Sequence, residues 1–237
     1  MTGTSDDFVN WTKPTLLNYG DAPNEHLYTN TVQRYERSPQ LLIGFPTRYL
    51  PKEASRVEPV FMASRDGVHF KRWSTAVIPE DAPQDRSGNR SNYMTWGMVQ
   101  LPGNDDELSV YATEAYYTGS DSRVRRFTYR VDGFVSAQGG SQGGSLTTKP
   151  IRFRGKQLEI NFTTHGKRGH VRVELQDASG KTIPGFAATN SSPLSGDSTA
   201  RIVQWNTKAK LPKLAGKTIR IKFEVKDGDL YSYRFRD

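Results

Sequence analysis

The sequence predicts an all-β protein in two units. Residues 1–138 read as a partial β-propeller of about two to three blades. Residues 147–237 read as an antiparallel β-sandwich or jelly roll, and a Gly/Ser-rich linker, 139–146, joins them. Three observations carry this. Short segments alternate apolar and polar residues with period two, without a helical period. One turn motif recurs 59 residues apart. The charge also changes sharply along the chain: residues 1–146 carry a net −2 and residues 147–237 a net +10.

The second unit shows the alternation most clearly. Leu158, Ile160 and Phe162 alternate with polar residues, and so do Val171, Val173 and Leu175. Ile219, Ile221, Phe223 and Val225 form a third set; Tyr231, Tyr233 and Phe235 form a fourth. Period two places each apolar set on one face of a half-buried strand. Ile160, Val173, Ile221, Phe223, Tyr233 and Phe235 are therefore the expected core. Asp177–Lys181 and Asp227-Gly228-Asp229 supply turn chemistry between strands. Before them, Gly139–Ser145 has no periodicity and reads as a flexible connection. Arg172, Lys222, Lys226, Arg234 and Arg236 fall on the outward positions, as a solvated face or as a surface for a polyanion.

The first unit contains the repeat. Ser5-Asp6-Asp7-Phe8-Val9-Asn10-Trp11 matches Ser64-Arg65-Asp66-Gly67-Val68-His69-Phe70 in Ser, Asp, Val and an aromatic at the same offsets. Asp132-Gly133-Phe134 reads as a worn third copy. Ser and Asp are expected to cap backbone groups in a tight turn, so Asp7 and Asp66 are structural rather than catalytic. Strand-like runs lie between the copies: 40–45, 57–63, 94–101, 107–114 and 123–131. Several strands and one turn per ~50–60 residues is the sequence pattern of propeller blades.

Composition excludes several chemistries. There is no cysteine, hence no disulfide scaffold, thiol nucleophile or Cys-ligated metal. His26, His69, His165 and His170 lack metal-ligand spacing, and no nucleophile elbow or phosphate-binding glycine loop is present. No cofactor or metal is therefore expected. No run approaches the ~18–20 apolar residues of a membrane span. Met1–Asn10 is polar and acidic, unlike a signal peptide. No nucleic-acid-binding motif is visible.

Ser64-x-Asp66-Gly67-x-x-Phe70 followed by Trp73 resembles the blade turns of five-bladed propeller glycoside hydrolases, broadly families 32, 43 and 68. Glu25–Asn30, Phe45–Arg48, Asn92–Gly97, Tyr111–Glu114, Arg125–Phe134 and Asp229–Ser232 resemble bacterial glycosyl hydrolase family 32 N-terminal-like proteins. The resemblance covers nearly the whole chain and implies a propeller followed by a small sandwich. A five-bladed propeller needs roughly 250–300 residues. The early blades that carry the nucleophile and stabilising aspartates in the resembling hydrolases thus have no counterpart here. The chain is expected to be a fragment or relative of such a hydrolase, or its first unit is a smaller β-fold. A partial propeller would expose strand edges and self-associate through them. The resemblance further implies an oligo- or polysaccharide partner, and a secreted or periplasmic parent.

Glycoside hydrolysis uses two carboxyl groups, one a protonated acid with a raised pKa. Glu114, at a strand end beside Tyr116 and Tyr117, is the candidate acid. Glu25, beside His26, Tyr28 and Asn30, is a further catalytic candidate in a second polar–aromatic cluster, while the nucleophile aspartate of the resembling hydrolases has no counterpart. Arg48, Arg90 and Trp96 suit sugar contacts, by donation to hydroxyls and by stacking. Glu25, His26, Arg48, Arg90, Trp96 and Glu114 are expected to gather on one face. With one carboxylate of the pair missing, the chain alone is expected to be a weak or inactive hydrolase. The competing reading is a non-catalytic carbohydrate-binding or structural module, with an anionic polysaccharide on the basic sandwich.

Overall fold

The computed structural model describes residues 1–53, 55–79, 92–116 and 119–237. Among these the chain is all-β, with antiparallel sheets and three short 3-10 turns. It divides into two compact units, Met1–Tyr129 and Arg130–Asp237.

In the first unit, β1 (His26–Leu27), β2 (Gln33–Tyr35), β3 (Ser38–Gly44), β4 (Thr47–Leu50), β5 (Arg56–Ser64) and β6 (Phe70–Ala76) form one sheet. Its order is β1-β4-β5-β3-β2, with β6 on β5. Strand β5 holds the sheet together. Its first half pairs with β4 and its second half with β3 and β6. It is buried almost throughout, as its apolar run Val57–Met62 requires. Strands β2, β3, β5 and β6 pair in that order, all antiparallel, as the four strands of a propeller blade do, but with β4 intervening in sequence between β3 and β5. A second sheet pairs β7 (Glu107–Glu114) with β8 (Arg123–Arg130). Met94 and Val99 add isolated bridges to β7. Between them Gly97, at φ 101°, breaks what the sequence presents as a continuous strand.

The two turn copies match atom for atom. Asp66 Oδ1 accepts the N–H groups of Val68 (2.9 Å) and His69 (2.8 Å), and Ser64 Oγ accepts that of Gly67 (2.9 Å). Asp7 Oδ1 accepts those of Val9 (2.8 Å) and Asn10 (2.7 Å), and Ser5 Oγ that of Phe8 (2.8 Å). Backbone donors from Asn10 and Val9 hold the Asp7 carboxyl well below the usual range; those of His69 and Val68 do the same for Asp66. Both turns need a left-handed residue after the aspartate. Gly67 supplies it at φ 78°, whereas Phe8 is forced to φ 63°. The third copy keeps the bend: Asp132 lies at φ 52° and Gly133 N–H reaches the Arg130 carbonyl.

The second unit is a sandwich of two sheets. One contains β10 (Gly144–Thr147), β14 (Ile219–Lys226) and β12 (His170–Asp177). The other contains β13 (Asp197–Ile202), β11 (Gln157–Thr164), β15 (Gly228–Arg236) and β9 (Ala137–Gly139). Leu158, Ile160, Phe162, Val171, Val173, Leu175, Ile221 and Phe223 form the core.

Three details correct the sequence reading. First, the glycine-rich run is not a linker. Residues 137–139 and 144–147 are strands of the sandwich, and a Cβ on Gly139 would lie 2.1 Å from the Val225 carbonyl oxygen. Glycine is there because another backbone passes. Second, Asp227-Gly228 is no hairpin turn: β14 and β15 lie in different sheets, and Asp227, at φ 42°, makes the corner between them. Third, a bulge opposite Asn161/Phe162 interrupts β15. It turns Tyr231 to the outer face, under the Arg130 guanidinium at 4.9 Å, which also reaches Asn161. Of the expected core, Phe235 is half-buried against the cluster. Tyr233 packs on Phe223 but stays 36% exposed, a position suited to a ring with a polar tip.

Candidate functional site

Glu25 precedes β1, and β1 pairs with β4 so that Leu27 lies opposite Arg48 and His26 opposite Tyr49. On the other edge of β4, Arg48 lies opposite Glu58 of β5. Residues opposite one another share a face, and neighbours along a strand do not. This register splits the Glu25–Tyr28 cluster.

One face is charged and largely buried. Arg48 Nε donates to Glu58 Oε1 at 3.0 Å, and Arg48 Nη1 to Glu25 Oε1 at 3.4 Å. Arg72 of β6 donates to Glu25 and to the Pro23 carbonyl. Its guanidinium lies 5.7 Å from the Tyr19 ring. Burial pushes the Tyr19 phenol up, against the opposing pull of Arg72. Beside this network opens a cavity of about 440 Å³, lined by residues including Leu16, Asn18, Tyr19, Asn24, Glu25 and Arg72.

The other face is aromatic. Tyr28 stacks on Tyr49 (5.6 Å between ring centroids, 20° between planes), and His26 meets Tyr49 edge-on at 6.3 Å. Tyr28 is 49% exposed. The segment that carries it continues to Asn30, whose side chain accepts the Val32 N–H, and to Val32, whose carbonyl accepts the Trp96 indole N–H at 3.3 Å. Trp96 is thus anchored at its nitrogen while 70% of it stays exposed.

Glu114 belongs to a different group. On β7 it shares a face with Leu108, Val110 and Ala112, and it is fully buried. Arg123 Nε reaches its Oε2 at 2.5 Å and Arg125 Nε its Oε1 at 3.0 Å. Burial pushes this carboxyl up, but the hydrogen bonds and charges of Arg125 and Arg123 outweigh it and hold it below the ordinary glutamate value. These are the electrostatics of an ion-paired carboxylate, not of a proton donor. The pH consequence has a fixed sign. A lowered folded-state pKa contributes stability above the unfolded value, and that stability is lost as pH falls through the folded one. Melting temperatures of wild type and Glu114→Gln measured from neutral pH downward should therefore converge below the ordinary glutamate pKa. A constant gap would count against the ion pairs.

The structure thus joins Glu25 to Arg48, and Asn30 to Trp96 through Val32. It puts His26 and Tyr28 on the opposite face from Glu25, and seats Glu114 among the arginines of β8. Arg90 and Tyr117 lie outside the described residues. Sequence reading missed Arg72, Glu58, Arg123 and Arg125. Each had a parity signal. Arg72 follows Phe70 at an inward position, Glu58 interrupts the apolar run of β5, and Arg123 and Arg125 alternate in step with Phe127 and Tyr129.

No family model and no curated protein matches the chain. Three solved chains match it. One is a glycoside hydrolase family 43 arabinoxylan arabinofuranohydrolase from Bacillus subtilis, in complex with cellotetraose. It is 10% identical, with a TM-score of 0.27, over 88% of this chain and 53% of that one. The chain therefore spans about half the length of that hydrolase.

Proposed function

We propose that the first unit binds an oligo- or polysaccharide and does not by itself cleave it. One observation carries this reading: two anchored, solvent-facing rings meet at one short segment, Tyr28 lying on it and Trp96 donating to its Val32 carbonyl. That segment continues from the strand whose other face meets the polar cavity at Glu25 and Arg72. Aromatic faces take the apolar face of a sugar ring, and amides and guanidinium groups take its hydroxyls. The sequence resemblance to carbohydrate-active enzymes points the same way, and an oligo- or polysaccharide ligand suits a secreted or periplasmic protein. Against cleavage stand the two carboxylates. Hydrolysis needs one protonated acid and one free base or nucleophile. Here Glu114 is held by Arg125 and Arg123, and Glu25 by Arg48 and Arg72.

The test is glycan binding by calorimetry across neutral xylo-, arabino- and cello-oligosaccharides, with turnover assayed in parallel. Tyr28→Ala and Trp96→Ala are each expected to weaken binding about tenfold or more, near 1.4 kcal/mol. Salt should have little effect, since the contacts are stacking and hydrogen bonds. Affinity untouched by both changes would overturn the site. Turnover in the wild type that disappears in Glu114→Gln would overturn the non-catalytic assignment.

A further inference from the structure

The strong positive charge of the second unit is not spread over its sheets. On the strand faces most cations are already engaged. Arg234 and Arg236 both bind the buried Glu159, at 2.7 and 2.8 Å. Arg172 donates to the Ser191 carbonyl at 2.7 Å, and Lys222 pairs with Glu224 at 2.8 Å. Across β12 and β14, Arg172 faces Glu224 and Glu174 faces Lys222. Of the outward positions that the sequence marks as a polyanion surface, Lys222, Arg234 and Arg236 are paired with glutamates, Arg172 is turned to backbone carbonyls, and Lys226 lies opposite His170.

Outside those contacts, Lys167, Arg168, Lys181, Arg201 and Lys226 are scattered through the unit, whereas eight further cations are grouped in two segments. Residues 147–158 contain Lys149, Arg152, Arg154 and Lys156 and no acid. Residues 203–218 contain Lys208, Lys210, Lys213 and Lys217, again with no acid. All eight are exposed, and among the described residues none enters an ion pair. The fold lays the segments side by side. Ile151 and Ile219 exchange backbone hydrogen bonds at 2.8 and 2.9 Å, Gly216 N–H reaches the Phe153 carbonyl at 3.0 Å, and Arg152 Nε reaches Thr218 Oγ1 at 3.2 Å. Phe153, Leu211 and Leu214 turn into the core and fix both segments to it.

We propose that this acid-free belt is a second binding site, for a polysaccharide carrying carboxylate or sulfate groups. Crowding like charges on one surface opposes folding, and a polyanion reverses the sign of that interaction. The character of the belt selects the polyanion. Six of the eight cations are lysines, point charges without the fork that reads bases or clamps phosphate. No exposed aromatic lies in either segment for base stacking: Phe153 is buried, and Trp205 is packed on Phe186 with its N–H on the Val173 carbonyl. Neither segment exposes a large apolar side chain to enter a lipid surface. The same two segments expose Gln157, Gln204 and Asn206, amides suited to sugar hydroxyls. The belt lies in a different unit from the neutral-sugar site and does not rest on it.

The test uses the full chain with polygalacturonate and dextran sulfate as probes, and neutral dextran and duplex DNA as references. Binding is measured at low salt (~20 mM) and high salt (~500 mM), across which screening changes strongly. Two variants are compared: Lys208→Gln/Lys210→Gln/Lys213→Gln/Lys217→Gln, and Arg152→Gln/Arg154→Gln/Lys156→Gln. Each should weaken binding to the anionic probes by about tenfold or more. Each should melt no lower than the wild type, since it relieves like-charge crowding, and leave the Trp96-dependent binding of neutral oligosaccharides unchanged. High salt should abolish the anionic binding. Anionic probes bound equally by wild type and both variants would overturn the proposal. So would duplex DNA bound more tightly than polygalacturonate at equal charge and salt.

Discussion

Phe223→Ala should destabilise the second unit by about 3–5 kcal/mol, the cost of deleting a fully buried aromatic ring. Phe223 is central to β14, the middle strand of its sheet. On the same face lie Leu146 of β10 and Val173 of β12, its cross-strand partners. From the opposite sheet the Tyr233 ring meets it at 5.4 Å. Alanine would leave a void bounded by both sheets, and a two-sheet core closes such a void poorly. For a unit of this size the loss corresponds to a fall in melting temperature of more than about 12 °C. Phe223→Leu should recover most of it. The comparison that decides is Leu146→Ala, on the same face but 44% exposed. A loss as large there as at Phe223 would mean that the register, or the core, is wrong.

Where the sequence was legible, side-chain parity made it so. Strands 219–226 and 170–177 follow directly from alternation, because each has one dry face. The Ser–Asp turns were legible because the capping atoms sit within a few residues of what they cap. Three things were not. Residues 137–147 carry no alternation to read, since glycine has no side chain to place on a face. Which strands pair is a long-range property, so the crossing at Asp227 looked like any other turn. The bulge at Tyr231 shifts parity by one residue in mid-strand, and only the partner strand shows it. For the site, Glu25 and Arg48 were read as two sugar contacts on one face, and the ion pair that joins them was not anticipated. Nor was the opposite facing of His26, although alternation along Glu25–Tyr28 implies it.

Arg72→Met should cost about 3 kcal/mol and at the same time weaken neutral-glycan binding, because Arg72 ties the wall of the cavity to the sheet. Its side chain is 1% exposed. It reaches Glu25 and the Pro23 carbonyl, both in the 18–27 segment that lines the cavity. Glu58, Arg48, Glu25 and Arg72 alternate in sign, so the chain of charges is neutral as it stands. Methionine keeps much of the volume of the arginine stem but leaves that chain one positive charge short. Among the described residues Glu25 then retains only Arg48, at 3.4 Å, and the Pro23 carbonyl loses the Arg72 donor. Removing one partner of a buried pair costs ~3–5 kcal/mol, and the remaining bond to Arg48 places this case at the lower end. Arg72→Lys restores the charge but not the two-pronged reach, so it should recover stability more than affinity. Thermal melts and calorimetric titration separate the two roles. A variant that melts within ~0.5 kcal/mol of wild type would show that the network does not hold the segment. One that loses stability but keeps its glycan affinity would confine the sugar to the Tyr28 and Trp96 rings and exclude the cavity from the site.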